Sequence, residues 1–250
     1  MFENIKIVYH QGKQFIPNIK TAKVPGIFRG RPVISNEKVN ESELEALCPT
    51  QAISSNPVCI DLGKCTFCGE CSMRFPNKIK FTTDYVLSSN KREDLLIKEG
   101  IDKLIMIDAN IIRKEIKQIF RHSLKLRQVS AAGDNSAEME LNATGNVNFD
   151  MGRYGIEFVA SPRHADGLVI TGPISQNMSE ALQICYDAIP EPKLIILAGT
   201  DAISGGIFNT SKAINRQFID KYAIDLFIPG NPPHPLTIIH GITCLIGMKL

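Results

Sequence analysis

What the chain lacks narrows its function first. No apolar run approaches the ~20 residues that a bilayer-spanning helix needs. The opening Met1-Phe2-Glu3-Asn4-Ile5-Lys6 has no apolar core of the secretory type. Charge of either sign is scarcely in excess: 28 Lys and Arg stand against 26 Asp and Glu, a net charge of +2. That balance gives no general case for nucleic acid or an acidic membrane as partner. No Lys-Ser/Thr follows Gly205-Gly206, so a phosphate-binding loop is poorly supported. Nothing resembles a nucleophile–base pair. What remains is ordinary for a globular protein: 44% hydrophobic and 22% charged residues over 250 positions, enough for one large domain or two smaller ones.

Cysteine is present, seven times, and unevenly. Lys64-Cys65-Thr66-Phe67-Cys68-Gly69-Glu70-Cys71 sets three thiols at C-x2-C-x2-C spacing, with Cys48-Pro49 upstream. The run continues through Ser72-Met73-Arg74 to Phe75-Pro76, and so resembles the bacterial ferredoxin pattern C-x2-C-x2-C-x3-C-P with Phe75 at its last Cys. In two-cluster ferredoxins that last Cys ligates the other cluster. The fourth ligand for Cys65, Cys68 and Cys71 is then a Cys-Pro from an earlier run, and Cys48-Pro49 fits. Val39 to Leu47, where that earlier run's own three cysteines belong, holds none. One cubane keeps all four thiolates, Cys48, Cys65, Cys68 and Cys71, and the other has lost its own. A structural zinc site also takes four thiolates, but zinc ribbons usually use two separated C-x2-C pairs. The expected cofactor is one [4Fe-4S] cluster. Cys59, Cys185 and Cys244 read as small apolar groups. Clustered thiols suit a reducing compartment, and a cytoplasmic chain is the expectation.

Met1 to Arg29 reads as an extended leader, and Ser42 to Leu47 as a short helix delivering Cys48. Thr82 to Gly100 turns polar and reads as a linker or surface excursion. Ile111 to Arg121 has helical spacing with Arg113, Lys114, Lys117 and Arg121 on its polar side. Such a helix could face a membrane or a partner, although a solvated face on the chain's own core is the commoner case. Beyond Leu124 three apolar runs read as buried parallel strands: Gly167–Thr171, Lys193–Ala198 and Ile224–Ile228. Helices are predicted near Met178–Ala188, Ser211–Lys221 and Pro235–Met248. Strand and helix in alternation predict an α/β fold with a functional rim at the strands' carboxyl ends.

On that rim the residues resemble a family. Arg153-Tyr154-Gly155-Ile156, Ala160-Ser161-Pro162-Arg163-His164-Ala165-Asp166, Leu168–Pro173, Ser204–Phe208 and Pro229-Gly230-Asn231-Pro232-Pro233 are similar, in order, to the small cluster-bearing subunit shared by respiratory complex I and energy-conserving nickel–iron hydrogenases, formate hydrogenlyase among them. The first half resembles the ferredoxin-like subunit of the same complexes. The resemblance implies a fusion: a ferredoxin-like [4Fe-4S] domain over 1–82, a linker with an amphipathic helix over 83–122, and a flavodoxin-like parallel-sheet domain over 123–250.

The departures from the family are as specific as the match. Relatives of the hydrogenase type read Cys-Asn-Gly-Cys in the first rim loop, where this chain has Asp134-Asn135-Ser136-Ala137. The third and fourth family ligands fall at Asp201 and Asn231. With Asp134, Ala137, Asp201 and Asn231 in place of four thiolates, the family's own cluster is expected to be lost. The implied role is an electron-transfer subunit with one cluster and no self-contained active site, inside a complex related to hydrogenase or NADH:quinone oxidoreductase. A large-subunit homologue and other subunits of that complex are the implied partners, with peripheral placement on a membrane complex in keeping with them. Two alternatives stay open: a structural pseudo-subunit that docks the large subunit, and a polar pocket at the vacated site taking a cation or small ligand. Glu138 and Glu140 match family carboxylates near the large-subunit interface. His164 and Arg163 are expected to order a turn. His234, beside Asn231, is a ligand candidate weighed against an ordinary loop histidine.

Overall fold

A computed structural model describes residues 2–12 and 14–248. Met1, Lys13, Lys249 and Leu250, which fall inside the expected domain bounds, lie outside the described residues. The first half is built from short pieces around small sheets. Helix α1 (Phe2–Gln11) buries none of its residues, and here the expectation of an extended leader is corrected. Strand β1 (Pro32–Ile34) leads to α2 (Glu41–Ala46), whose first turn is capped by the Asn40 side chain accepting from the Glu43 N–H. Next come β2 (Ile53–Ser54), β3 (Cys59–Asp61), α3 (Glu70–Arg74), β4 (Ile79–Phe81) and β5 (Leu96–Lys98). β1 pairs antiparallel with β4, and β3 sits between β2 and β5. β5 lies within the stretch read as linker, yet it completes a sheet of the first half.

The second half begins with α4 (Lys114–Ile119). This helix is only six residues long, shorter than the Ile111–Arg121 expectation, because Ala109 to Ile111 form a turn and Ile112 a bend. It is followed by β6 (Leu124–Ser130), α5 (Ser136–Ala143), β7 (Ile156–Phe158), β8 (Gly167–Thr171), α6 (Gln176–Asp187), β9 (Leu194–Ala198), α7 (Thr200–Ser204), α8 (Gln217–Lys221), β10 (Leu226–Ile228) and α9 (Pro235–Leu245). All five strands run parallel in the order β10-β9-β8-β6-β7. Counted from β6, that is the flavodoxin order 2-1-3-4-5, whose switch point lies between β6 and β8. β8 and β9 are buried at every residue, as expected of central parallel strands with both faces covered. α9 is apolar almost all round and seals one face, with Leu236, Ile238, Ile239 and Ile242 in the core.

The halves meet along a shared seam. Ser89 exchanges backbone hydrogen bonds with Phe227 of β10, so residues near 89 cover an otherwise open sheet edge. The Thr237 hydroxyl donates to the Tyr85 carbonyl at 2.8 Å, and the Ser88 hydroxyl donates to the Thr237 carbonyl at 3.0 Å.

Candidate functional site

Two sites stand back to back across that seam. The first is the thiol loop. Cys48 emerges at the end of α2, just past its last helical residues, with its N–H held by the Glu45 carbonyl. Two backbone N–H groups aim at sulfur: Ala52 donates to the Cys48 Sγ at 3.2 Å, and Phe67 to the Cys65 Sγ at 3.3 Å. The loop curls because Phe67 takes φ 54° and Gly69 φ 85°, after which α3 carries Cys71. Arg29 donates from Nε to the Phe67 carbonyl and braces the curl from outside. Asp61 ties its base, accepting from the Gly63 N–H at 2.8 Å and from Arg92 at 2.6 Å.

Cys65 is buried, Cys48 and Cys71 are half-buried, and Cys68 is exposed. Burial pushes the Cys65 thiol up to about 12; the Phe67 N–H opposes this, and the neighbouring Cys71, Cys48 and Cys68 sulfurs add to it. Cys71 rises to about 11, again chiefly through burial, then through Cys68 and Cys48. Cys65 thus feels all three other predicted cysteines, and Cys71 feels Cys68 and Cys48. Thiols that resist ionisation in isolation need a bound cation to become thiolates, and four soft sulfur donors suit iron–sulfur or zinc chemistry. Among the described residues no three His, Cys, Asp or Glu side chains close on a single metal ion.

The second site lies on the rim of the parallel sheet, at its switch point. Asp134, Ala137, Asp201 and Asn231 all line one cavity, together with Glu138 and Thr200. That cavity measures about 10 Å³, room for about one water molecule. Asp134 turns back on its own loop, its Oδ1 accepting from the Ser136 N–H at 2.9 Å and the Ser136 hydroxyl at 2.6 Å. Those bonds hold its carboxyl below the usual range. Asp201 moves the other way, raised first by burial and then by the Asp134 and Glu138 charges. Its carboxylate lies where a side chain on Gly206 would stand, so that glycine makes room for Asp201.

Glu138 is only 8% exposed. Its Oε1 accepts from the Ser130 and Thr171 hydroxyls, each at 2.6 Å, while Oε2 has no partner among the described residues. The sequence singled out Glu138, but its partners on β6 and β8 come from strand register and carry no local signal. Glu140 is raised by burial. His234 caps α9, its Nδ1 accepting from the Leu236 N–H at 3.1 Å, and its ring meets Phe28 and Phe149 edge-on. Pro162 to His164 form a single tight turn.

One contact joins the sites and was missed from sequence. The buried Thr200 hydroxyl, beside Asp201, donates to the Cys65 carbonyl at 2.8 Å. Next to it a cleft of about 410 Å³ runs between Phe67-Cys68 and the Pro229–Pro232 loop.

Residues 135–245 match the family described as NADH ubiquinone oxidoreductase, 20 Kd subunit. The chain is 34% identical over 114 residues to the probable membrane-bound hydrogenase subunit mbhJ of Pyrococcus furiosus, covering 46% of this chain and 68% of that protein. It is 36% identical over 155 residues to an NADH-quinone oxidoreductase subunit of Heliobacterium modesticaldum, covering 61% of this chain and 87% of that protein. Against the corresponding NADH-quinone oxidoreductase subunit of Geotalea daltonii it is 40% identical over 105 residues, covering 42% of this chain and only 61% of the relative's length. Among solved structures it is similar to a chain of the membrane-bound sulfane sulfur reductase, an archaeal respiratory membrane complex. There the identity is 28% and the TM-score 0.46, with 52% of this chain and 72% of that chain covered.

Proposed function

The chain belongs to the family of the NADH ubiquinone oxidoreductase 20 Kd subunit, and we propose that it serves an oxidoreductase complex as a one-cluster electron-transfer subunit. Cys48, Cys65, Cys68 and Cys71 hold a [4Fe-4S] cluster in the ferredoxin-like part, 1–82. Residues 83–122, which add β5 to the small sheets and cover the edge of β10, lead on to the family part, 123–250, whose own cluster is lost. The observation that carries this reading is the contrast between the two sites. Cys65 feels the other three thiols electrostatically and two of the sulfurs take backbone N–H groups, while all four family ligand positions line a cavity of about 10 Å³.

When bound, the cluster supplies a one-electron carrier. The chain's part is to fix its surroundings. The Ala52 and Phe67 N–H groups stabilise negative charge on the Cys48 and Cys65 sulfurs, which raises a reduction potential. Arg29, Asp61 and Thr200 hold the loop from three sides, so little rearrangement accompanies a change of charge. A cavity near 10 Å³ leaves no space for a small organic ligand, so the rim is read as a filled-in scaffold.

The test is iron and acid-labile sulfide per chain after anaerobic purification, with low-temperature EPR of the reduced protein. About four of each and a reduced-cluster signal are expected, and Cys65→Ala should remove most of both. About eight of each would overturn the loss of the family cluster, and zinc in place of iron would overturn electron transfer.

A second reading is favoured by one observation. Met139 on α5, and Ile207 and Phe208 after α7, are exposed apolar residues on rim elements, as a docking surface for a large-subunit homologue requires. In that reading the chain assembles a complex on a membrane's face and the cluster only steadies its first half. Cys68→Ala that loses the EPR signal but leaves assembly and cellular phenotype intact would favour it.

A further inference from the structure

The outer side of α9 carries a feature that neither site explains. Residues 101–108 cross it without forming helix or strand and leave a cleft of about 470 Å³ beneath. Val86, Leu104, Met106 and Met248 wall the cleft, with Asp84, His240 and Cys244 at its polar end. Along this crossing segment Ile101, Leu104 and Met106 are 55%, 58% and 65% exposed. An apolar cleft continued by outward apolar side chains is costly in water, and signals a covering surface.

The charges select the kind of surface. Acids on this crossing segment are neutralised from elsewhere: Asp102 by Arg31 at 2.7 Å, and Asp108 by Lys91 at 2.5 Å. Asp84 at the cleft's polar end faces Arg31 at 3.5 Å. Two cations at the cleft have no carboxylate partner among the described residues. Lys20 is close enough to act electrostatically on both His240 and Cys244. Lys117 donates to the Ala109 carbonyl at the other end, beside Gly247.

We propose that this face lies on a membrane surface and that the cleft takes an acyl chain of an anionic phospholipid, its phosphate met by Lys20 and Lys117. A free small ligand filling the cleft would leave Ile101 and Met106 in water, whereas a lipid layer covers them together with the cleft. Surplus ammonium groups beside the opening favour an anionic layer over a neutral one. This inference does not depend on the electron-transfer reading.

Vesicle flotation of the full chain tests it. The chain is expected to float with phosphatidylcholine vesicles containing phosphatidylglycerol, not with phosphatidylcholine alone, and to be released by salt. Leu104→Glu with Met106→Glu should abolish flotation; both side chains are exposed, and an unchanged melting temperature will show that the fold survives. Lys20→Glu should weaken binding to the anionic vesicles about tenfold. No flotation, or flotation indifferent to the paired glutamates, overturns the proposal. So does binding of dodecanoate without vesicle binding, which would make this a site for free amphiphiles. If vesicles are ignored and the paired glutamates instead break assembly with a large subunit, the face is a protein interface.

Discussion

Asp201 and Glu138 meet on the rim, where the proposed reading has a cluster site without its thiolates. Asp201 carries a raised pKa because it is buried beside Asp134 and Glu138, so ionising it costs folding energy. For a group raised in the folded state, the favourable contribution is full below its unfolded pKa of about 3.9 and is lost as pH rises through the folded value. Asp201→Asn should therefore raise the melting temperature at neutral pH, with the gain shrinking to nothing as pH falls below about 4. A gain that persists unchanged in acid would mean that the charge is not the cause. The residue identities at this site were readable from sequence because the loops around them keep their Gly and Pro markers. The Ser130 and Thr171 hydroxyls on Glu138, and Thr200 on the Cys65 carbonyl, were not readable. They join residues 8, 33 and 135 positions apart, brought together only by sheet register and by the seam.

At the scale of elements, α9 is held by close approach. A Cβ on Gly241 would stand 2.5 Å from the Ser88 Oγ and 2.6 Å from the Ser88 Cβ. Gly241→Ala should push the helix from the 85–89 segment and cost about 1–3 kcal/mol in urea unfolding; an unchanged midpoint would show that the seam yields freely. β8 and β9 were legible because unbroken apolar runs ending in glycine announce central parallel strands. β6 was not, since Lys125, Arg127 and Gln128 interrupt its apolar positions, giving a mixed burial pattern. Predicted helix over 211–221 shrinks to Gln217–Lys221. The Ser211 hydroxyl accepting from the Ala213 N–H, and the Asn215 side chain accepting from the Gln217 N–H, turn the backbone locally. At the amino end α1 forms where an extended leader was expected, and it does so with its apolar residues exposed.

For the whole molecule, the seam sets how the chain should come apart. Thr200 on Cys65, Thr237 on Tyr85 and Ser89 on Phe227 bind the small sheets to the parallel sheet at three points. Removing the iron of the proposed cluster with a chelator should lower one common melting transition, with probes of the thiol loop and of the parallel sheet moving together. Two separated transitions would show that the halves are independent. The placement of the thiols also sets an order of vulnerability. Cys68 alone of the four is exposed, at the edge of the cleft beside Pro229–Pro232. Oxidants therefore reach that corner first, while Cys65 lies deepest. In air, damage mapped by mass spectrometry should begin at Cys68, and a subunit seated over the cleft should delay it. Shelf life outside the proposed complex is then a direct readout of how much of this edge partner subunits cover in it.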